Sequence, residues 1–190
     1  MIMPSPNHSQ NNVSAQPSAQ TFDDPARALD IYARLTHGLI HSTPLEDILA
    51  EVAQMIIELL GVERCTLFMF DANSHELYTK ASMNEAMREI RFPRDKGIAG
   101  ETFCTGETQI IPDAYADPRF NPEVDKQTGY KTRNILSHPI SYHVEGQKEI
   151  IGVVQVLNKM EGASLDQHDV EKLEPFLAIS SGIYSQVLLL

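Results

Sequence analysis

The sequence has only two cysteines, Cys65 and Cys104, in 190 residues. That is too few for a disulfide framework or a cysteine-based zinc site, and it points to a reducing cytoplasm. No apolar run approaches the roughly 18–20 residues that a membrane-crossing helix needs, which excludes an integral membrane protein built from helices. No Lys or Arg precedes Arg27 and no apolar stretch follows the first residues, so a secretory signal is not expected. Residues 1–22 also lack any Asp, Glu, Lys or Arg and are mostly Ser, Asn, Gln and Pro. Such a stretch cannot bury enough apolar surface to offset its ordering entropy, and it reads as a disordered tail. Basic residues are scarce, 15 against 26 acidic, for a formal net charge of −11. Nucleic acid is therefore not an expected partner, because phosphate binding needs clustered Lys and Arg.

What is present suits one globular domain with a real core: 42% apolar and 22% charged residues. The acidity is uneven. Arg88 to Arg133 holds eight basic and eight acidic side chains, so the remaining residues supply the whole −11. The middle of the chain is where an anionic small molecule would meet no repulsive field.

Periodicity divides the chain. Asp23-Asp24-Pro25 is a helix start, and Leu29, Tyr32, Leu35 and Leu39 follow at helical spacing. Leu45, Ile48, Leu49, Val52, Ile56, Leu59 and Leu60 predict a second amphipathic helix closed by Gly61. Strands are expected at Arg64–Phe70 and Glu76–Ala81, near Glu89–Phe92, and in a hairpin of Asn134–Tyr142 with Lys148–Leu157 around Glu145-Gly146. A long helix runs from about Asp166 to the end. The expected class is α+β: a central antiparallel sheet, helices from both chain ends on one face, and a loop- and helix-covered pocket on the other. Its parts are helices within 24–60, a core at 64–158, and a C-terminal helix at 166–190.

Three features could carry ligand chemistry. Lys96-Gly97-Ile98-Ala99-Gly100 opens a helix, where free backbone N–H groups can receive an anion; a tight turn with close helix packing explains the same glycines. Asp125, Thr128 and Thr132 lie on a proline-rich segment anchored by Tyr115, Phe120 and Tyr130, which suits a polar ring or sugar; turn chemistry also favours Asp and Thr. Gln155 interrupts the apolar strand Ile150–Leu157, and Thr66 sits similarly in the first strand; such groups need a partner in backbone, water or ligand. No catalytic group stands out. His37 and His41 have the spacing of a metal pair but lack a third ligand, and no metal site is expected. Neither cysteine has a neighbouring His or basic cluster, and Cys104 reads as packing in its helix.

The blocks Lys96-Gly97-Ile98-Ala99-Gly100, Ile111-Pro112-Asp113-Ala114-Tyr115, Asp117-Pro118-Arg119-Phe120, Thr128-Gly129-Tyr130, Thr132-Arg133-Asn134-Ile135-Leu136 and Val156-Leu157-Asn158-Lys159, in this order, resemble a GAF domain. The resemblance is strongest to the cyclic-nucleotide-binding GAF domains of phosphodiesterases and bacterial adenylyl cyclases, and it spans roughly residues 30–188. It implies ligand contacts from Thr66, Ile98, Ala99, Asp125, Thr128, Thr132 and Gln155, with the Ile98 and Ala99 amides on phosphate and Gln155 on the base. Gln155 stands where those binders usually carry Glu, and Ser82 and Met83 where an aromatic and an Asp help hold the base. The resemblance also implies that Asn158, Lys159 and Asp169 lock the last strand to the last helix. Bilin-binding relatives need a Cys-His pair, and GAF-type free-methionine-sulfoxide reductases three cysteines, which this sequence does not supply. The expected function is non-enzymatic: a cytoplasmic, homodimeric sensor binding a small molecule, possible occupants being cAMP or cGMP, with no other cofactor. The alternatives are a ligand-free dimerisation module and, third, a free methionine sulfoxide reductase.

Overall fold

The computed structural model of the chain describes residues 45–82, 90–144 and 147–188, together with Ala33. The expected tail at 1–22, the Glu145-Gly146 turn, Met83 and the first expected helix apart from Ala33, which is helical, lie outside the described residues.

Helix α1 (Leu45–Leu60) buries Ile48, Leu49, Val52, Ile56 and Leu60 of the predicted stripe, with Ala53 and Met55 beside them, while Leu59 is partly buried. Gly61, at φ +61°, ends it by donating to the Ile57 carbonyl. Strand β1 (Val62–Asp71) begins at once, two residues earlier than expected. It is followed by β2 (Glu76–Ser82), β3 (Arg91–Pro93), α2 (Gly97–Thr105) and β4 (Gln109–Ile111). After a 3-10 turn at Ala114–Ala116 come α3 (Glu123–Thr128), β5 (Ile135–Val144), β6 (Gln147–Lys159) and α4 (Gln167–Leu188). The six strands form one antiparallel sheet in the order β3-β2-β1-β6-β5-β4.

Alternation along the three central strands gives the sheet two distinct faces. Cys65, Leu67 and Met69 of β1, Val154 and Val156 of β6, and Leu136 and Ile140 of β5 pack with α1 and with Val170, Leu173, Phe176 and Leu177 of α4. This is the main core, and full burial of each such side chain is worth about 1.5–3 kcal/mol. Gly152 permits the sheet to close there, because a Cβ would stand 2.3 Å from the Phe68 carbonyl oxygen of β1.

The opposite face carries α2. Ala99 and Phe103 pack on Phe68, Leu77 and Val153, while Ile98 packs with Ile111, Ala114 and Ile135. Gly100 lets α2 lie against the chain before it: a Cβ would come 2.8 Å from the Asp95 backbone. Tight packing therefore accounts for that glycine. Cys104 does not pack as expected; it is exposed, and its thiol donates to the Arg94 carbonyl. β4 and α3 fall where no strand or helix is expected from the sequence.

Candidate functional site

Between the two small apolar clusters under α2, the sheet face turns polar. Thr66 of β1, Gln155 of β6 and Ser137 of β5 stand in one cross-strand row. Ser137 is fully buried and paired with the Thr102 hydroxyl of α2 at 2.9 Å; Thr102 also lies 2.9 Å from the Ile98 carbonyl. Thr66 and Gln155 are half-buried, and among the described residues neither side chain has a hydrogen-bond partner. They face a cavity of about 590 Å³, bounded by the α2 N-terminus, β1, β6 and the segment from Arg119 to Thr132.

Six of the seven expected ligand residues line this cavity: Thr66, Ile98, Ala99, Asp125, Thr132 and Gln155. Thr128 does not. It is exposed at the end of α3, its hydroxyl donating to the Val124 carbonyl one turn back. Lys96 caps α2 without a side-chain cap bond, so the first amides of the helix lack an internal acceptor there.

Asp125 is buried and already engaged. It accepts from the Thr132 amide at 2.7 Å, the Thr132 hydroxyl at 2.9 Å and the Tyr115 hydroxyl at 3.1 Å. These bonds tie the two ends of residues 115–132 together as the roof of the cavity. Short turns built by Asp113, Asp117 and Asn121, each accepting from the amide two residues on, shape its first half. The turn reading of this segment and its role in walling the cavity thus hold together.

Sequence reasoning missed the end wall. Glu63 of β1 accepts from Arg133 at 2.7 Å, Tyr130 at 2.8 Å and the Asn158 amide at 3.0 Å. Burial pushes its carboxyl up, but these bonds outweigh that and leave it below the usual range. Tyr130 is held un-ionised by burial and by the Glu63 charge. Arg64 lies over the Tyr130 ring, its guanidinium carbon 3.5 Å from the centroid. Strand alternation alone puts residue 64 on the face of Thr66, which is the signal that could have found it.

Asn158, Lys159 and Asp169 make the lock. Asn158 is fully buried at φ +58°, accepts from the Arg133 amide at 2.6 Å, and donates to the Lys131 carbonyl. Lys159 bonds Asp169 at 2.5 Å and the Leu60 carbonyl at 2.6 Å, joining the ends of α1 and β6 to the start of α4.

Burial holds the Cys65 thiol far above its ordinary pKa, and Cys104 is exposed. Among the described residues no group of three or more His, Cys, Asp or Glu could hold a metal ion; His37 and His41 lie outside them. No helix among the described residues is long and apolar enough to cross a membrane.

Residues 44–178 match the family model of the GAF domain, and the chain belongs to that family. It is 33% identical over 153 residues to a probable 3′,5′-cyclic phosphodiesterase, pde-5, of Caenorhabditis elegans, covering 74% of this chain and 20% of the relative. It is 33% identical over 157 residues to the dual 3′,5′-cyclic-AMP and -GMP phosphodiesterase 11A of Takifugu rubripes, covering 76% of this chain and 17% of the relative. The chain thus spans about a fifth of the length of these two proteins. The fold is shared with the GAF domain of an Acinetobacter phosphoenolpyruvate-protein phosphotransferase, at a TM-score of 0.66 and 18% identity over 87% of this chain and 97% of that one.

Proposed function

We propose that this GAF domain is a regulatory sensor that takes a cyclic nucleotide, cAMP or cGMP, into the cavity beneath α2 and passes its binding state to α1 and α4. The observation that carries this reading is the Thr66–Gln155 pair, which faces a cavity of about 590 Å³ with no partner among the described residues. An amide and a hydroxyl there suit a planar edge that presents both a donor and an acceptor, as a nucleobase does. The volume falls in the range of small-molecule sites, roughly 300–1,000 Å³. The first amides of α2, with Ile98 and Ala99, would meet the phosphate.

Transmission would run from the roof through Asn158 to Lys159. Thr132 and Asp125 fix the roof, and Asn158 holds residues 130–134. Its chain neighbour Lys159 holds both helices. A ligand that favours one arrangement of the roof would bias the other end by its difference in affinity for the two states.

Homodimerisation through the terminal helices and a cytoplasmic setting belong to the same proposal. The hydrolysis named for the two phosphodiesterases belongs to those proteins, and here the domain would be non-enzymatic, with no cofactor beyond its ligand. A dimerisation module with a side-chain-filled interior is the rival, and the open cavity favours the sensor.

Titration calorimetry with cAMP and cGMP tests the proposal. Binding that weakens about tenfold in Thr132→Ala and Asp125→Ala supports it. Absence of binding to the unmodified chain, with a cavity filled by side chains in a ligand soak, refutes it in favour of the dimerisation module.

A further inference from the structure

We infer that Arg64 is an oxyanion-recognition residue of the cavity, so that the phosphate or carboxylate of the occupant meets its guanidinium as well as the first amides of α2. This rests on the reading of the cavity as a ligand site, and it goes beyond the contacts at Thr66, Gln155 and the start of α2.

The charged groups of the wall are unequal in what they already hold. Arg91 is bound to Asp71 and Glu76, and Arg119 to Asp117 and the Gln109 carboxamide. Glu63 already accepts from Arg133, Tyr130 and Asn158, and Asp125 from Thr132 and Tyr115, while Lys96 lines the cavity with no side-chain partner among the described residues but is exposed to solvent. Arg64 is different. It is half-buried, it lines the cavity, and among the described residues none of its guanidinium N–H groups has a hydrogen-bond acceptor. Its guanidinium carbon lies over the Tyr130 ring, 3.5 Å from the centroid, which restrains the group at the cavity wall. A planar fork of five donors, held in place before binding, matches the two oxygens of a carboxylate or phosphate. Tyr130 in turn is fixed by its bonds to Glu63 of β1 and Asn158 of β6, so the receptor is braced on two strands.

The test reads Arg64 directly. In labelled protein the Arg64 Nε–Hε resonance is assigned by its loss in Arg64→Lys. It is then followed against inorganic phosphate and against acetate, with chloride at matched ionic strength as the control. A saturable shift with phosphate, acetate or both, absent with chloride and absent at paired Arg91, is the expected result; which anion acts tells phosphate from carboxylate. No saturable shift with either anion overturns the inference. A second arm uses cAMP and cGMP. If either binds, Arg64→Gln should weaken it about tenfold, the worth of a charge-assisted hydrogen bond, while leaving thermal stability near that of the parent. Nucleotide binding unchanged in Arg64→Gln overturns the inference and leaves the sensor standing. A phosphate shift without nucleotide binding keeps the inference and removes the cyclic nucleotide.

Discussion

Asn158 and Lys159 are adjacent in the chain and fasten different parts of the molecule. Asn158 reaches toward the cavity roof, to Tyr130, Lys131 and Arg133. Lys159 reaches the other way, to Leu60 of α1 and Asp169 of α4. A shift in the roof therefore needs only one residue of backbone to reach the helices.

The Lys159–Asp169 pair is mostly buried, with side-chain exposures of 21% and 3%. Removing one partner strands the other charge. Lys159→Met or Asp169→Leu alone should cost about 3 kcal/mol, and the double variant should recover a large part of that loss. Urea unfolding of the three variants checks this, and additive losses would argue against a coupled pair.

Asn158 combines a left-handed backbone with a buried amide. Asn158→Gly keeps the backbone easy and loses the bonds, and should cost about 2–3 kcal/mol. Asn158→Ala adds the left-handed penalty, about 1–2 kcal/mol more. Denaturation midpoints should fall in the order parent, Gly, Ala.

Thr132→Val keeps the shape of the side chain and removes the hydroxyl bond to Asp125. Faster amide exchange confined to residues 115–132, with the main core unchanged, is the expected outcome. A global loss of protection would instead place Thr132 in the folding core.

His138 gives the pH dependence. Burial, with Lys148 nearby, lowers its pKa from 6.5 to about 4, and Thr108 meets its Nδ1 at 2.7 Å. The unfolded chain therefore takes up a proton that the folded chain refuses. Stability should be full above pH 6.5 and fall by up to about 3 kcal/mol as pH drops from about 6.5 to about 4. His138→Gln should flatten that window. The loss from Asp71, whose carboxyl is held near 2 by Arg91 and by the Asn73 and Ser74 amides, comes at lower pH.

The regular parts of the fold were legible because apolar periodicity is a strong signal. The stripe of α1, the alternation of β1 and the β5–β6 hairpin lie where their residues predict them, within about two residues at the ends. β4 escaped because three residues, Gln109–Ile111, carry too short a pattern to register. At the site, Thr66 and Gln155 stood out as polar groups in apolar strands, and the structure sets them opposite each other. Thr128 misled for a local reason: three residues beyond Asp125 on a short helix, its hydroxyl returns to its own backbone instead of entering the cavity. Glu63 and Arg64 escaped, and Tyr130 read only as an anchor of its segment, because their relationship spans more than sixty residues and depends on the roof folding back onto β1.

Hydrogen exchange of the whole chain, with and without cAMP and cGMP, tests the link between cavity and helices most directly. The expected result is added protection both in the roof, residues 115–134, and at the joined ends of α1 and α4 around Leu60 and Asp169, with the second effect lost in Asn158→Gly. Protection that stays within the cavity walls, or no change with either nucleotide, would contradict a sensor that signals through its helices.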